Sequence, residues 1–221
     1  MSNLVLRIAS AAVLAPVAIY VAYRGGWLFV LFWTAAAIAV LWEWTTLVVS
    51  PGWIVAGIGY AGVMLAAPMI LRGDVELGFL AMVLLFAIVW TTDVFGYFAG
   101  RAFGGPKLLP AISPKKTWSG AIAGALGAMA IAVLVAGFFG SYNAVAIATI
   151  ALLLSVVAQL GDLFESWVKR RFGAKDASQL IPGHGGVMDR LDGFWAAAFV
   201  GCAIGLLRGG FDAPARGLLV W

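Results

Sequence analysis

Seven apolar runs constrain this chain more than anything else in it: Leu4–Ala22, Trp27–Val49, Trp53–Leu71, Gly78–Ala99, Trp118–Phe139, Ala144–Trp167 and a shorter Gly193–Leu207. A helix needs about 20 apolar residues to cross the hydrocarbon core of a bilayer, and most of these runs have that length. With 63% hydrophobic residues, 11% charged residues and a mean hydropathy of +1.02, the chain carries more apolar surface than a soluble domain can hide. The period-2 alternation of a membrane barrel is absent, so the spans are expected to be helical. The expectation is an all-α, polytopic transmembrane bundle of about seven spans with a cytoplasm-facing polar cavity. It reads as one integral-membrane domain over 1–221, with N-terminal spans in 1–77 and the chemistry in 78–221.

The first run follows Arg7 and ends at Tyr23-Arg24-Gly25-Gly26 without a small-residue cleavage pattern, so it reads as a retained span rather than a signal peptide. The single cysteine, Cys202, lies in an apolar run and reads as packing. Counting sides alternately places Arg7, Arg101, Lys107, Lys115, Lys116, Lys169, Arg170, Arg171, Lys175 and Arg190 on one face. Arg24, Arg72, Arg208 and Arg216 fall on the other. The excess marks the first face as cytoplasmic, and the two long basic connections, Gly100–Thr117 and the stretch after Trp167, share it.

Charge is concentrated where the apolar pattern breaks. Between Asp162 and Asp192 stand five of the ten acidic residues and the only histidine, His184. Gln159, Asp162, Ser166 and Lys169 recur at helical steps of three or four, so a polar stripe emerges from an apolar helix. An ionised carboxylate near mid-membrane costs roughly 2.5 to 3.5 kcal/mol on the insertion scale, so Asp162 needs a cation or a wet cavity. Simple pairing with Lys169 or Arg170 is the plainer explanation of Asp162, but the carboxylates and glycines gathered downstream weigh against it.

Downstream, Pro182-Gly183-His184-Gly185-Gly186 surrounds the histidine with glycines, whose backbone can approach a phosphate closely and offer it amides. Asp189 and Asp192 follow three residues apart, on one face if a helix begins there. Clustered carboxylates beside Lys and Arg suit Mg²⁺ together with phosphate. His184 has neither a second histidine nor a nearby cysteine to make a zinc site, and a turn histidine bonding locally accounts for it as well as substrate contact does.

The other long loop presents Asp93, Tyr97 and Gly100-Arg101, then Ser113-Pro114-Lys115-Lys116-Thr117 at the start of the fifth run. Two lysines and two hydroxyls at a helix N-terminus form an anion-binding arrangement. From this loop alone an ordinary basic flank is the better reading, but Asp93 adds a second carboxylate on the same face. Glu43, between Trp42 and Trp44, reads most simply as an interfacial residue with aromatic anchors, and a role in the site stays open. The ten tryptophans fall mainly near span ends, as an aromatic belt would have them.

The motif Ser166, Lys169-Arg170, Lys175-Asp176, Ser178, Pro182, His184-Gly185-Gly186, Asp189-Arg190 and Asp192 runs without a break. It resembles the signature of the phosphatidate cytidylyltransferases, or CDP-diacylglycerol synthases. The upstream Asp93, Tyr97, Gly100-Arg101 and Ser113-Pro114-Lys115-Lys116-Thr117 look like that family too, so the resemblance covers about the C-terminal two-thirds. One departure is Ser119, where the family usually has a glutamate. The first three spans match only as hydrophobic helices.

The resemblance implies transfer of CMP from CTP to phosphatidate, giving CDP-diacylglycerol and pyrophosphate for phospholipid biosynthesis. It makes Asp162 and Asp189 metal ligands for Mg²⁺, with Ser166 beside them and a monovalent cation such as K⁺ as a candidate second ion. Lys169, Arg170, Lys175 and Arg190 are assigned to phosphates, Lys175 being counted with the catalytic set as well. Ser113, Lys115, Lys116 and Thr117 close over the nucleotide, and Asp192 assists the metals or orients Arg190. His184, Gly185, Gly186 and Asp93 are the remaining substrate-binding candidates. Expected partners are CTP, phosphatidate and membrane lipid, with a homodimer as the candidate assembly and no nucleic acid. The expected location is the bacterial cytoplasmic (inner) membrane.

Three rivals compete. A CDP-alcohol phosphatidyltransferase would show an Asp-Gly-x-x-Ala-Arg run, which is absent. The same transfer to another lipid phosphate, such as an archaeal ether lipid, is excluded less firmly. An ion-coupled transporter would need polar residues continuing to the other face, and those are missing.

Overall fold

The computed structural model describes residues 3–140, 142–181 and 185–221; His184 therefore lies outside the described residues, as do Pro182 and Gly183. The chain folds as helices α1 (Asn3–Arg24), α2 (Gly26–Leu47), α3 (Pro51–Gly73) and α4 (Gly78–Phe103). A hairpin of β1 (Lys107–Leu109) and β2 (Ser113–Thr117) follows. Helices α5 (Trp118–Phe139), α6 (Ala144–Arg171), α7 (Met188–Gly209) and the short α8 (Pro214–Leu219) complete it. Among the described residues six helices, α2 to α7, are long and apolar enough to cross a membrane. Even the shortest has 22 residues, about 33 Å at the α-helical rise. The protein is thus an all-α, polytopic membrane bundle.

Local chemistry sets several boundaries. Pro51 opens α3, where its missing N–H is harmless. The Asn143 side chain accepts from the amides of Val145 and Ala146 at 3.1 and 3.2 Å and so caps α6. Buried Asp74 accepts from the Glu76 and Leu77 amides, which turns the chain from α3 into α4. Its other oxygen accepts from the Arg216 amide at 3.0 Å, tying α8 to that turn.

The core is largely aromatic and small-residue packing around α4. Trp33 of α2 stacks on Phe194 of α7 at 5.0 Å, and Phe194 stacks on Phe86 of α4 at 5.1 Å. Trp44 stacks on Tyr60 of α3, which stacks in turn on Trp195 at 4.3 Å. Trp33 and Trp44 are therefore buried core residues, while Trp27, Trp42, Trp118 and Trp221 stay exposed. Apolar side chains such as Ile38, Leu126, Leu134 and Leu160 also face outward, as they do where the surroundings are lipid.

Three elements differ from the sequence reading. The Gly100–Thr117 connection contains a hairpin, in which Lys107 pairs with Thr117 and Leu109 with Ser113. The last long helix starts at Met188 instead of about Gly193, so Asp189 and Asp192 stand in its opening turns. Helix α8 is an addition.

The two ends of the bundle carry different chemistry. At one end Arg72 donates to the carbonyls of Ala22 and Tyr23, and Arg208 to those of Gly217 and Val220. The C-terminal end of α4, the hairpin, the start of α5, the end of α6 and the start of α7 meet at the opposite end, with the carboxylates and lysines described next.

Candidate active site

Small residues bring α4 and α5 into backbone contact below this end. A Cβ placed on Gly100 would lie 2.8 Å from Thr117 Oγ1, and one on Gly120 would meet the Gly96 carbonyl. Only glycines allow so close a crossing. The hairpin that joins the two helices folds back across their ends, held by the Trp118 amide donating to the Pro106 carbonyl at 3.0 Å. Thr117 ends the hairpin and starts α5, its Oγ1 accepting from the Gly120 amide at 3.2 Å. Ser119 packs beside it, 3.0 Å from Thr117 Oγ1, and donates to the Gly104 carbonyl, so it fastens the hairpin base where the family usually has a glutamate.

The hairpin and three helices line a half-open cavity of about 440 Å³. Helix α4 contributes Asp93, Tyr97 and Arg101, the hairpin Lys107, Lys115, Lys116 and Thr117, and α6 Gln159 and Asp162. Four cations thus face two carboxylates. The stripe on α6 is locked to its neighbours: Thr92 Oγ1 and Ser155 Oγ lie 2.7 Å apart, and Gln159 donates to the Ala121 carbonyl at 3.3 Å. Lys116 pairs with Asp162 Oδ2, while Ser166, one turn on, donates to Oδ1 at 3.4 Å. Asp93 is within electrostatic range of Asp162, Lys116 and Arg190.

A second, more buried cluster lies next to it between α6 and α7. Lys169 pairs with Glu165 at 2.9 Å and with Asp189 Oδ1. The other Asp189 oxygen accepts from the amides of Ala177 at 2.9 Å and Gly186 at 2.8 Å. Asp192 Oδ1 accepts from the Gly193 amide, and its carboxylate is within electrostatic range of Glu165, Asp162 and Asp93, which places it between the two clusters.

Asp93, Lys115, Lys116, Thr117 and Asp162 therefore share one cavity, and Lys169, Asp189 and Gly186 share the neighbouring cluster. Gly185 accepts from the Ile181 amide at 2.8 Å. Ser113 stands at the far end of β2, paired with Leu109, and Lys175 is exposed on the loop after α6. Arg170 is exposed and donates to the Ala174 carbonyl, and Arg190 is exposed on the first turn of α7.

Two cavity-lining cations, Arg101 and Lys107, were not singled out for the site by sequence. The arginine beside Gly100 was a visible signal, whereas Lys107 counted only toward the charge asymmetry. Glu165 likewise went unassigned. Glu43 is the larger surprise: completely buried, it accepts hydrogen bonds from Ser178 and from the amides of Val187 and Met188.

Among the described residues no three His, Cys, Asp or Glu side chains gather tightly enough to hold a metal unaided. The two expected ligands nonetheless each carry a cation, the Lys116 ammonium on Asp162 and the Lys169 ammonium on Asp189. Carboxylate oxygens are the hard donors that Mg²⁺ takes, but the ion would have to displace these ammonium partners, and the second Asp189 oxygen is already occupied by two amides.

Residues 49–206 match the model of the cytidylyltransferase family. A phosphatidate cytidylyltransferase of Brucella suis biovar 1 (strain 1330) is 40% identical, with 97% of each chain covered. One of Brucella abortus biovar 1 (strain 9-941) is 42% identical over 90% of this chain and 92% of its own. One of Rickettsia bellii (strain RML369-C) is 38% identical over 86% of each. Similarity of that extent, spanning both the hairpin and the Ser166–Asp192 motif, assigns the chain to the cytidylyltransferase family.

Proposed function

We propose that this chain transfers CMP from CTP to phosphatidate, forming CDP-diacylglycerol and releasing pyrophosphate. The observation that carries this reading is the cavity at one end of an apolar bundle, ringed by Arg101, Lys107, Lys115 and Lys116 around Asp93 and Asp162. A triphosphate needs such a ring of cations, and a lipid substrate needs a protein embedded in its own phase. A phosphatidate phosphate oxygen attacks the α-phosphorus of CTP, and the bond from that phosphorus to the oxygen bridging to the β-phosphate breaks. Pyrophosphate leaves with the electron pair, and no covalent enzyme intermediate is needed.

The protein's task is to hold two polyanions in line against their repulsion. Lys115, Lys116, Arg101 and Lys107 bind the triphosphate, and Thr117 fixes the hairpin that carries the lysines. Those four cations keep the β- and γ-phosphates as they leave, Arg190, with Arg170 and Lys175 at the rim, receives the lipid phosphate on the opposite side of the α-phosphorus, and Lys169 holds Asp189 through its ion pair. Asp162 and Asp189 would hold Mg²⁺, which supplies charge neutralisation at the phosphates when bound; K⁺ is the proposed second ion. The ten-to-four asymmetry of basic residues supports a cytoplasm-facing site in a bacterial inner membrane, and a homodimer is the proposed assembly.

The test is initial-rate transfer by the purified protein in mixed micelles, with phosphatidate or an ether-linked lipid phosphate as acceptor. Mg²⁺-dependent product with phosphatidate, abolished by a chelator and restored by Mg²⁺, is expected. Preference for the ether lipid would replace the acceptor, and no product with either would remove the enzyme reading.

A further inference from the structure

Glu43 lies near the end of α2, 135 to 145 residues before the groups it touches. Its side chain has no exposed surface. Oε1 accepts from Ser178 Oγ at 2.6 Å and from the Val187 amide at 2.8 Å, and Oε2 accepts from the Met188 amide at 2.7 Å. Among the described residues none of the ion pairs involves it. A buried carboxylate without a cation is costly unless hydrogen bonds and a favourable dipole satisfy it. Here the compensation is a helix N-terminus: the N-cap position of α7 is Val187, which has no side-chain acceptor, so Glu43 caps that helix from another part of the fold.

The same carboxylate closes a loop. Glu43 joins Ser178 to Val187 and Met188, and Asp189 joins Ala177 to Gly186 in parallel. The backbone on either side of residues 182–184 is thus laced twice, once by a residue of the site and once by a residue far from it in sequence. Gly186 is the point where the backbone passes over the Glu43 carboxylate; a Cβ there would stand 2.7 Å from Oε1. An apolar residue at position 43 would pack without that desolvation cost. What a carboxylate adds is a fixed direction for two consecutive amides immediately before Asp189 and Arg190.

We propose that Glu43 is a positioning residue for cytidylyl transfer, holding the Gly186–Met188 turn so that Asp189 and Arg190 meet the phosphates in register. The role rests on the reaction proposed above; the clamp itself can be measured without it. In Glu43→Gln one oxygen remains, so a side-chain NH₂ must face one of the donors. In Glu43→Ala all three hydrogen bonds are lost.

The experiment compares wild type, Glu43→Gln, Glu43→Ala and Ser178→Ala as full-length proteins in phosphatidate micelles. It reads turnover per folded molecule, KM for CTP, and amide exchange at Val187 and Met188. Glu43→Ala is expected to lower kcat by about 10- to 100-fold, the range for supports of a site, with KM changed by less than about threefold. Faster exchange should be confined to the two capped amides and their neighbours, and Glu43→Gln should fall between. Turnover per folded molecule within about twofold of wild type in both Glu43 variants would overturn the role, as would unchanged exchange. If neither Glu43 variant folds, Ser178→Ala decides: slower turnover with local exchange supports the role, and no change in either refutes it. A wild-type protein without transfer would sink the reaction itself, whereas an active wild type with unaffected variants would sink the Glu43 role alone.

Discussion

Asp162→Asn is expected to lower kcat by about a hundredfold or more, the scale for removing one preorganised electrostatic group from a reacting site. The substitution keeps shape and removes charge. Asp162 faces the cavity with its side chain 27% exposed, and its partner Lys116 is 29% exposed, so both are partly hydrated. Breaking such a pair costs at most about 1 kcal/mol in stability, and the variant should fold. Its effect should therefore appear in turnover and not in the melting temperature. Steady-state kinetics beside thermal unfolding checks this; near-normal Mg²⁺-dependent turnover would remove Asp162 from the proposed ligands.

Lys169→Met should act the other way, chiefly on the fold. Its side chain is 10% exposed, and its ammonium is shared by the fully buried side chain of Glu165 and that of Asp189, which is 6% exposed. The buried Asp192 carboxyl lies beside Glu165, a third acidic group at the same junction. Removing the one cation that, among the described residues, pairs with these two buried carboxylates is expected to destabilise by about 3–5 kcal/mol, the usual loss on breaking a buried pair from one side. Adding Glu165→Gln to the same chain should recover part of the loss, because only one carboxylate is then left without its cation. Denaturant unfolding of the single and double variants in one detergent measures both. A single variant within about 1 kcal/mol of wild type would show that the cluster does not hold the α6–α7 junction.

These two cases mark what the sequence made legible. The apolar runs of α2 to α6 were readable because a bilayer allows few solutions to a long apolar segment, and their positions came out within a few residues. The grouping of Asp93, Lys115, Lys116, Thr117 and Asp162 around one cavity follows from connectivity, since two spans return the chain to the same end.

Other features depend on partners that no local pattern names. The stripe Gln159, Asp162, Ser166 and Lys169 shares a helix face, yet Asp162 meets the hairpin while Lys169 reaches Glu165 and Asp189; periodicity cannot tell a phosphate-binding lysine from one held by carboxylates. The start of α7 at Met188 stayed conditional on the Asp189–Asp192 spacing because its cap is Glu43, on another helix. Glu43 itself looked interfacial between two tryptophans, one of which, Trp44, proved to be core. The hairpin lacked any alternation that would separate it from a basic loop.

The most direct test of the central claim follows the fate of the nucleotide's phosphates. Purified protein is incubated with phosphatidate, Mg²⁺ and CTP labelled at either the α- or the γ-phosphate, with Asp162→Asn in parallel. α-Label is expected to enter the lipid phase in step with pyrophosphate release and γ-label to stay in the water phase as pyrophosphate, with both lipid labelling and pyrophosphate release much slower for Asp162→Asn. Lipid carrying γ-label, or no lipid label above the Asp162→Asn background, would contradict it.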